Sequence, residues 1–310
     1  MRKMNGHKKF FSRNQMNQAD FENFVLCIAN YNNPDTPIRE ASVAKIQELQ
    51  NQNPFGLLAA LLLALQNEQV PIEAKRMALV ISNELLNKLE VPDSTLTKYQ
   101  FIEKSNAGLL NNYLTAATAH FSVDPNLSGH LFATLAIIFC EYLELGENNQ
   151  IIQTVLKQLN GMDNYQYILA AFIALEEITN EIDLSQSPDI YQPTLMLIFT
   201  LFGKPEVPLP IKVKSLNILN NLIVIIDEVF QSEQNRNTIL AVIRFSINMS
   251  ETKISGYHCL SKILKHYFVI FVGISQEVLP ICIQDLTTHK DDSDIVIAIC
   301  KIIKNLCKYS

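Results

Sequence analysis

The apolar and polar positions of residues 54–89 predict two helices joined by a short polar turn. Residues 55–65 are almost wholly apolar (FGLLAALLLAL), so this helix must be covered on most of its sides. Residues 72–89 place apolar side chains at helical spacing, and Pro71 precedes the first turn, where a missing backbone N–H costs little. Helices this apolar need similar units on both sides, so the sequence predicts a stack of helices.

The same helical periodicity continues to the end of the chain. Turns are expected at prolines and polar clusters, and the alternation typical of strands is scarce. Pro280 interrupts one apolar segment, which predicts either a later helix start or a kink at that point. The predicted helices cover residues 20–31, 38–49, 55–65, 72–89, 98–118, 127–143, 149–159, 165–182, 191–202, 211–230, 234–247, 254–272, 276–286 and 293–307.

The segment 211–230 shows two neighbouring apolar stripes and only a narrow polar strip. A helix on the outside of a globule shows one stripe, so this helix is expected to have neighbours on two sides. The first helices of successive pairs are predicted to start near residues 38, 72, 127, 164, 210, 251 and 293, a spacing of about 40 residues.

That spacing is typical of HEAT and armadillo arrays, in which each helical pair buries its faces against its neighbours. The predicted fold class is therefore all-α: a right-handed α-solenoid of HEAT repeats with about six to seven helical pairs. We expect it to span residues 19–310 and to be the N-terminal part of a longer array. Residues 55–65 would be the second helix of one repeat, and residues 72–89 the first helix of the next.

Charge and hydropathy restrict the partners. The net charge is −6, which argues against nucleic acid because phosphate contacts need clustered Lys and Arg. Basic residues do cluster in residues 1–18, which we predict to be a disordered tail. The apolar run 55–65 is too short for a bilayer, which needs about 20 residues, so no membrane insertion is expected.

Catalytic and metal-binding motifs are absent from the sequence, which predicts a protein that is not an enzyme and needs no cofactor. His258 and Cys259 are adjacent and point about 100° apart on a helix, so they make a poor nucleophile–base pair. The six cysteines are expected to be reduced, with Cys300 and Cys307 in the core of the last helix. The acidic residues between 176 and 183 are expected to form a solvated face.

Several segments then resemble one known family, the importin-β (karyopherin-β) nuclear transport receptors, in their N-terminal region. IREASVAKIQELQNQNPFGLLAALLLAL is similar to the opening repeat of that family, and IEAKRMALVISNELL is similar to the next helix, with Arg76 close to an expected Arg and Asn83 at an expected Asn. KYQFIEKSNAGLLNNYL, GYHCLSKILKHYFVIF and SDIVIAICKIIKNLC resemble later family helices. The resemblance covers residues 20–308, although the chain has no Trp where Tyr99 stands.

The resemblance implies a nuclear import receptor that shuttles between cytoplasm and nucleus. In that family, second helices of the first repeats line the concave face and bind Ran in its GTP state. The implied Ran-binding residues here are Asn67, Asn112 and Tyr113, although core packing is an equal alternative for Tyr113.

Phe-Gly nucleoporins bind the convex side of the family, between first helices of later repeats. The implied contacts are Ile178, Ile182, Ile225 and Ile226, with ordinary inter-repeat core as the alternative. Cargo or an importin-α-type adaptor would bind only a longer protein. A HEAT or armadillo scaffold of another kind, such as a phosphatase scaffold, a vesicle-coat adaptor or a condensin-type subunit, is the alternative function.

Overall fold

The computed structural model describes residues 17–93, 95–140, 145–159, 162–185, 187–271, 273 and 275–309. In this part of the chain the regular elements are α-helices and one short 3-10 turn, as the all-α prediction requires. The chain divides into two compact units, residues 1–144 and residues 145–310. The predicted disordered tail lies outside the described residues, apart from Asn17 and Gln18, which begin the first helix.

Within residues 17–93 and 95–140, the first unit contains seven helices. They are α1 (Gln18–Ala29), α2 (Thr36–Gln52), α3 (Pro54–Gln66), α4 (Ile72–Lys88), α5 (Lys98–Ser105), α6 (Leu109–Ala119) and α7 (Pro125–Cys140). The 3-10 turn Asn30–Asn32 follows α1. Helix α4 packs against α1, α3 and α7, and α6 packs against α3 and α7. One layer therefore contains α1, α4 and α7, and the other contains α3 and α6.

The described residues of the second unit form nine helices. They are α8 (Leu145–Leu159), α9 (Tyr165–Glu181), α10 (Pro188–Phe202), α11 (Leu209–Leu222), α12 (Asp227–Gln231), α13 (Glu233–Ile247), α14 (Lys253–Phe271), α15 (Ser275–Thr288) and α16 (Ser293–Tyr309). Successive packing of α9, α11, α14 and α16 makes one layer, which we call the ladder layer. Helices α8, α10 and α13 pack in sequence to make the opposite layer, which also contains α15.

The predicted pairing of helices is shifted by one. Helix α3 packs against α4, α6 against α7, α10 against α11, α13 against α14 and α15 against α16. The segment 54–89 is therefore a helical hairpin, and α4 is the second helix of its pair rather than the first. The prediction was wrong because spacing along the sequence is the same for either choice of partner, whereas packing selects one.

Side-chain caps explain where several helices begin. The carboxylate of Asp35 accepts a hydrogen bond from the N–H of Ile38, and the Asn53 amide oxygen accepts one from Gly56. Thr97 and Gln100 form a reciprocal capping box at the start of α5. These residues satisfy N–H groups that have no partner within the helix, and they make the turns between helices sharp.

The predicted helix 98–118 is broken in two. Gly108 has φ +76°, a left-handed conformation that is incompatible with an α-helix and favours glycine. The Glu103 carboxylate accepts a hydrogen bond from the Gly108 N–H at 2.8 Å, which holds the turn. Helix α5 therefore ends before this turn and α6 begins after it.

The predicted helix 211–230 is also broken. Helix α11 ends at Leu222, and Ile226 has φ −102° and ψ 36°, outside the helical range, before the short helix α12. The intervening run of β-branched residues has low helix propensity. The hydroxyl of Tyr267 on α14 donates to the Ile223 carbonyl at 2.9 Å, which satisfies an acceptor that the ended helix leaves open.

Pro280 does not delay the start of its helix, because α15 begins at Ser275 and runs through the proline. Pro193 occupies the corresponding sixth position of α10. Each proline removes one main-chain donor from the first turns of its helix, and the helix continues nonetheless. Of the two predicted alternatives, the later helix start is therefore wrong.

Two further features concern the packing of the last helices. A Cβ added at Gly256 would lie 2.8 Å from the Cβ of Ser246, so α13 and α14 cross at a distance that only glycine permits here.

Cys300 and Cys307 are exposed, and the prediction that they pack in the core was wrong. The buried stripe of α16 runs through Ile295, Ala298, Ile299, Ile302 and Leu306.

Candidate functional site

An open groove of about 430 Å³ lies between α9 and α11 in the ladder layer. It is wide enough to fall within the range of about 300–1,000 Å³ that is usual for ligand sites. Most of its lining is polar, which is unusual for the contact between two packed helices. The lining residues are Ile173, Glu176, Glu177, Asn180, Lys214, Asn217, Asn220 and Asn221.

Glu176 is the most connected residue of this groove. Its carboxylate accepts from the Lys214 ammonium at 2.5 Å and from the Asn217 amide at 2.8 Å. The Asn221 amide donates to the Glu176 carbonyl at 3.3 Å and to the Thr179 hydroxyl at 3.2 Å. The expectation of a simple solvated acidic face was therefore wrong for Glu176, which links two helices.

Similar bonds connect the remaining helices of the ladder layer. The Lys262 ammonium on α14 donates to the Asn220 carbonyl at 2.8 Å, and partial burial lowers the pKa of that lysine. The Ser255 hydroxyl donates to the Asn217 amide oxygen at 3.1 Å. The Asn305 amide on α16 donates to the Ser261 carbonyl at 2.8 Å. Directional bonds of this kind fix the register of each helix against the next.

A charged cluster joins α14 to α15. The Asp285 carboxylate accepts from the Lys253 ammonium at 2.7 Å and from the Tyr257 hydroxyl at 2.5 Å, and both ends of the ion pair are almost fully buried. Burial, together with this hydrogen bond and the nearby negative charge, raises the pKa of Tyr257 well above its ordinary value. The cluster is largely buried and links α14 to α15, and the exposed His289 ring lies 3.9 Å from the same carboxylate.

In the first unit, α4 and α7 are joined by polar contacts along one side. The Thr134 hydroxyl donates to the Asn83 amide oxygen at 2.7 Å, and Arg76 pairs with Asp124 at 3.0 Å. Arg76 and Asn87 are exposed on α4. This side of α4 therefore presents the guanidinium of Arg76 and the amide of Asn87. Both lie near Asn83, whose side chain is held by the bond to Thr134.

The residues predicted to bind Ran are not equally accessible. Asn67 ends α3, where its amide oxygen accepts from the Gln69 N–H at 2.9 Å, and Asn112 is exposed on α6. Tyr113 is 0% exposed, and its hydroxyl donates to the Leu58 carbonyl at 2.6 Å. Tyr113 is therefore a core residue, as the alternative interpretation held, because its ring faces α3 and α4 rather than solvent.

The residues predicted to bind nucleoporins also include both buried and accessible side chains. Ile178 and Ile226 are fully buried, so their side chains belong to the core and are not available to a partner. Ile182 follows α9 directly and Ile225 follows α11, and both are half-buried. Because α9 and α11 pack together, these two isoleucines lie in the ladder layer of the same unit.

A more exposed apolar surface lies on α10 and α13, which pack together in the opposite layer. Met196 is 62% exposed and Phe245 is 50% exposed. The Phe245 ring packs edge-on against Phe202 at 5.7 Å, and the Lys212 ammonium lies 5.7 Å from its centroid. Sequence reasoning missed this surface, although Phe245 falls outside the apolar stripe of α13 and could have been found on that ground.

The surroundings of His258 and Cys259 oppose nucleophilic chemistry at that pair. Burial raises the pKa of Cys259 to about 12 and lowers that of its neighbour His258, which opposes a thiolate–imidazolium pair. The described side chains include no group of three His, Cys, Asp or Glu residues able to hold a metal. None of the described helices combines the length and apolar character that a bilayer crossing requires.

Solved structures with the same arrangement of helices identify the fold. Yeast importin-β (Kap95p) matches 93% of this chain with a TM-score of 0.64 and 19% identity. The chain has the HEAT-repeat fold of importin-β. The Kap95:Nup1 complex matches with a TM-score of 0.65 at 20% identity, and Kap95p with RanGDP matches with 0.62 at 19% identity, each over 93% of this chain.

The likeness to importin-β is one of fold and is confined to part of its length. The chain spans about a third of those structures, covering 34% of Kap95p alone, 34% of the Nup1 complex and 33% of the RanGDP complex. Neither a protein-family model nor a curated protein sequence matches the chain. The predicted all-α fold of HEAT repeats, and the predicted resemblance to importin-β, are confirmed at the level of the fold.

Proposed function

We propose that this chain is part of a nuclear import receptor of the importin-β kind, which binds Ran in its GTP state and Phe-Gly nucleoporins without catalysing a reaction. The observation that carries the proposal is the match to importin-β over 93% of the chain. Kap95p itself has been solved with Nup1 and with RanGDP. Under this proposal the protein shuttles between cytoplasm and nucleus, and cargo or an importin-α-type adaptor binds the longer protein.

The pairing of helices moves the proposed Ran surface. The family resemblance assigns Ran to the second helices of the first repeats, and in this structure α4 and α7 are second helices. Asn67 and Asn112 belong instead to the layer of α3 and α6. We therefore assign Ran to the exposed side of α4, where Arg76 and Asn87 offer a cation and an amide.

Ran binding is tested with the whole chain and Ran loaded with a non-hydrolysable GTP analogue or with GDP. The GTP form should bind more tightly. Arg76→Ala combined with Asn87→Ala should weaken that complex about tenfold or more, because each truncation removes an interfacial hydrogen-bonding group. Isothermal titration calorimetry measures both dissociation constants.

The matched comparison is Asn67→Ala combined with Asn112→Ala, which alters the residues predicted from the sequence. We expect this pair to bind Ran as the wild type does, and exposed Asn248→Ala in the second unit should do the same. If only the Asn67 and Asn112 variant loses affinity, the Ran site lies on α3 and α6 and not on α4. Equal affinity for the two nucleotide states would exclude the Ran assignment.

The nucleoporin surface moves for the same reason. First helices carry the Phe-Gly contacts in the family, and α10 and α13 are first helices of their pairs in this structure. Their exposed Met196 and Phe245 provide the apolar surface that a phenylalanine ring needs. Helix α13 also borders a shallow hollow of about 640 Å³, which is lined in part by Thr238 and Ala241. Ala241 lies one helical turn before Phe245.

Phe245→Asp should reduce binding of the chain to immobilised Phe-Gly repeats by at least about tenfold, because burying an aromatic side chain contributes about 1.5–3 kcal/mol. Retention is measured at several chain concentrations against repeats in which Phe is replaced by Ser. Phe245→Ser offers a milder change, and the melting temperature shows whether either variant is folded.

Ile182→Asp serves as the comparison, since Ile182 is the accessible residue predicted from the sequence. It should leave retention unchanged if the ring binds between α10 and α13. The opposite pattern, with binding lost in Ile182→Asp and kept in Phe245→Asp, would place the nucleoporin contact beside Ile182 and Ile225. Retention on the Ser-substituted repeats would show that the interaction does not depend on phenylalanine.

A further inference from the structure

We propose that the solvent-facing side of α14 and α16 binds a compact small molecule that carries several phosphate groups. This side is separate from the surfaces assigned to Ran and to nucleoporins, and the inference does not rest on either assignment. Its basic residues, which we call the basic surface, are His258, Lys262, Lys265, Lys301, Lys304 and Lys308.

Each of the two helices presents its basic residues on one side. Those of α14 are four and three positions apart, and those of α16 are three and four positions apart, which is the spacing of neighbours on a helix surface. Lys262 is half-buried and the others are exposed. Helices α14 and α16 pack together, and the bond from the Asn305 amide to the Ser261 carbonyl fixes their register. The two basic sides therefore lie next to each other.

The pKa values of these residues show that their charges are close together. Partial burial lowers the pKa of His258, and the Lys301 and Lys262 ammonium groups lower it further, against the opposing charge of Asp294. Burial is also the main cause of the lowered pKa of Lys262, and the charge of Lys265 contributes to it. A ligand with several negative charges relieves this repulsion, so the local field favours its binding.

One ammonium group of the basic surface is positioned before any ligand arrives. Lys262 donates to the Asn220 carbonyl on α11 at 2.8 Å, which holds its side chain across the gap between two helices. An ammonium group has three donors, so this bond does not exhaust it. Hydrogen bonds from an ammonium group to a phosphate oxygen are stronger than bonds between neutral groups. The surface therefore favours phosphate over a neutral polar ligand.

Carboxylates lie at both ends of the basic surface and limit the size of its ligand. Asp294 is close enough to His258 to raise its pKa. At the other end, partial burial and nearby lysines lower the pKa of His266, and the charge of Asp227 opposes them. From His258 to His266 the helix rises about 12 Å. A compact anion fits within that length, whereas an extended acidic peptide or a nucleic acid strand would meet the carboxylates.

The test is isothermal titration calorimetry of the whole chain with myo-inositol hexakisphosphate. Saturable binding is expected, with a dissociation constant of about 1–10 μM at about 0.15 M NaCl. Inorganic phosphate has a single phosphate group and should bind at least about a hundredfold more weakly, because it reaches fewer of the ammonium groups. A higher salt concentration should weaken the complex, since mobile ions screen exposed charges.

Lys265→Gln combined with Lys301→Gln should weaken the hexakisphosphate at least about tenfold, because it removes one charge from each helix of the surface. Lys304→Gln combined with Lys308→Gln is the second variant and should also weaken it. The matched control is Lys204→Gln combined with Lys290→Gln, in which two exposed lysines of the same unit are replaced and the net charge changes equally. The control should bind as the wild type does, and melting temperatures show that the variants are folded.

The imidazole ring of His258 reports binding locally. Its signals in nuclear magnetic resonance spectra should move when the hexakisphosphate is added, while those of His289, which follows α15, stay fixed. The signals are assigned by their loss in His258→Gln and His289→Gln. Absence of saturable binding, an equal loss of affinity in the control and the two test variants, or tighter binding of a polyglutamate peptide of equal charge would overturn the proposal.

Discussion

Asp285→Ala is expected to lower the free energy of unfolding by about 3–5 kcal/mol, the cost of removing one partner from a buried ion pair. The substitution leaves the Lys253 ammonium, whose side chain is 12% exposed, without the carboxylate now 2.7 Å away. It also leaves the Tyr257 hydroxyl without its acceptor. Urea denaturation followed by circular dichroism measures the change, which should appear as a lower midpoint with an unchanged slope.

Two comparisons separate this effect from a general cost of losing charge. Glu48→Ala breaks an exposed pair with Lys45, and because water screens such pairs they contribute little, so its midpoint should barely move. Lys253→Met combined with Asp285→Leu removes both charges, and its stability should recover toward that of the wild type. If Asp285→Ala costs no more than Glu48→Ala, the cluster does not hold α14 to α15.

Tyr113→Ala should cost about 3–5 kcal/mol, because it empties a fully buried site that joins α6 to α3 and α4. Tyr113→Phe keeps the ring and removes only the hydroxyl, which donates to the Leu58 carbonyl and contacts the Ser82 hydroxyl at 3.1 Å. That milder change should cost about 1 kcal/mol. Both values follow from the same denaturation experiment.

The exposed neighbour Asn112 is the control, and Asn112→Ala should change the free energy of unfolding by no more than about 0.5 kcal/mol. A small effect of Tyr113→Ala would mean that the first unit repacks around the empty site. The result also bears on the Ran assay, because a Tyr113 variant that unfolds also loses Ran binding. Arg76 and Asn87 are exposed, and the melting temperature of their variant shows whether loss of the Arg76–Asp124 ion pair affects the fold.

Periodicity along the sequence was sufficient to predict most helices and their stacking, since apolar side chains at helical spacing must be buried. Periodicity did not predict the places where a single residue ends a helix. Gly108 and the run before Asp227 sit inside segments with continuous apolar stripes, and the contacts that stabilise the breaks depend on geometry. In the second break, the Tyr267 hydroxyl comes from 44 residues further along the chain.

The candidate binding residues were harder to predict for a related reason. The family resemblance implies Ile178 and Ile226 by their position along the chain, and position alone does not reveal that both side chains are buried. The wrong pairing of helices affected the predicted binding residues more strongly, because it exchanged the first and second helices of every pair. Phe245 shows the opposite case, in which an aromatic residue outside the buried stripe signals an exposed surface from sequence alone.

The close crossing at Gly256 constrains how this protein can change over generations. Every single-base change that alters a glycine codon to another amino acid adds a side chain, and here the first added atom would meet the Ser246 Cβ at 2.8 Å. Loss of Ser246 Cβ, by a change to glycine, removes the shortest of these contacts. Contacts with the Ile247 side chain at 3.1 Å and with its main-chain nitrogen at 3.2 Å remain, so a substitution of Gly256 also requires α13 to move away from α14.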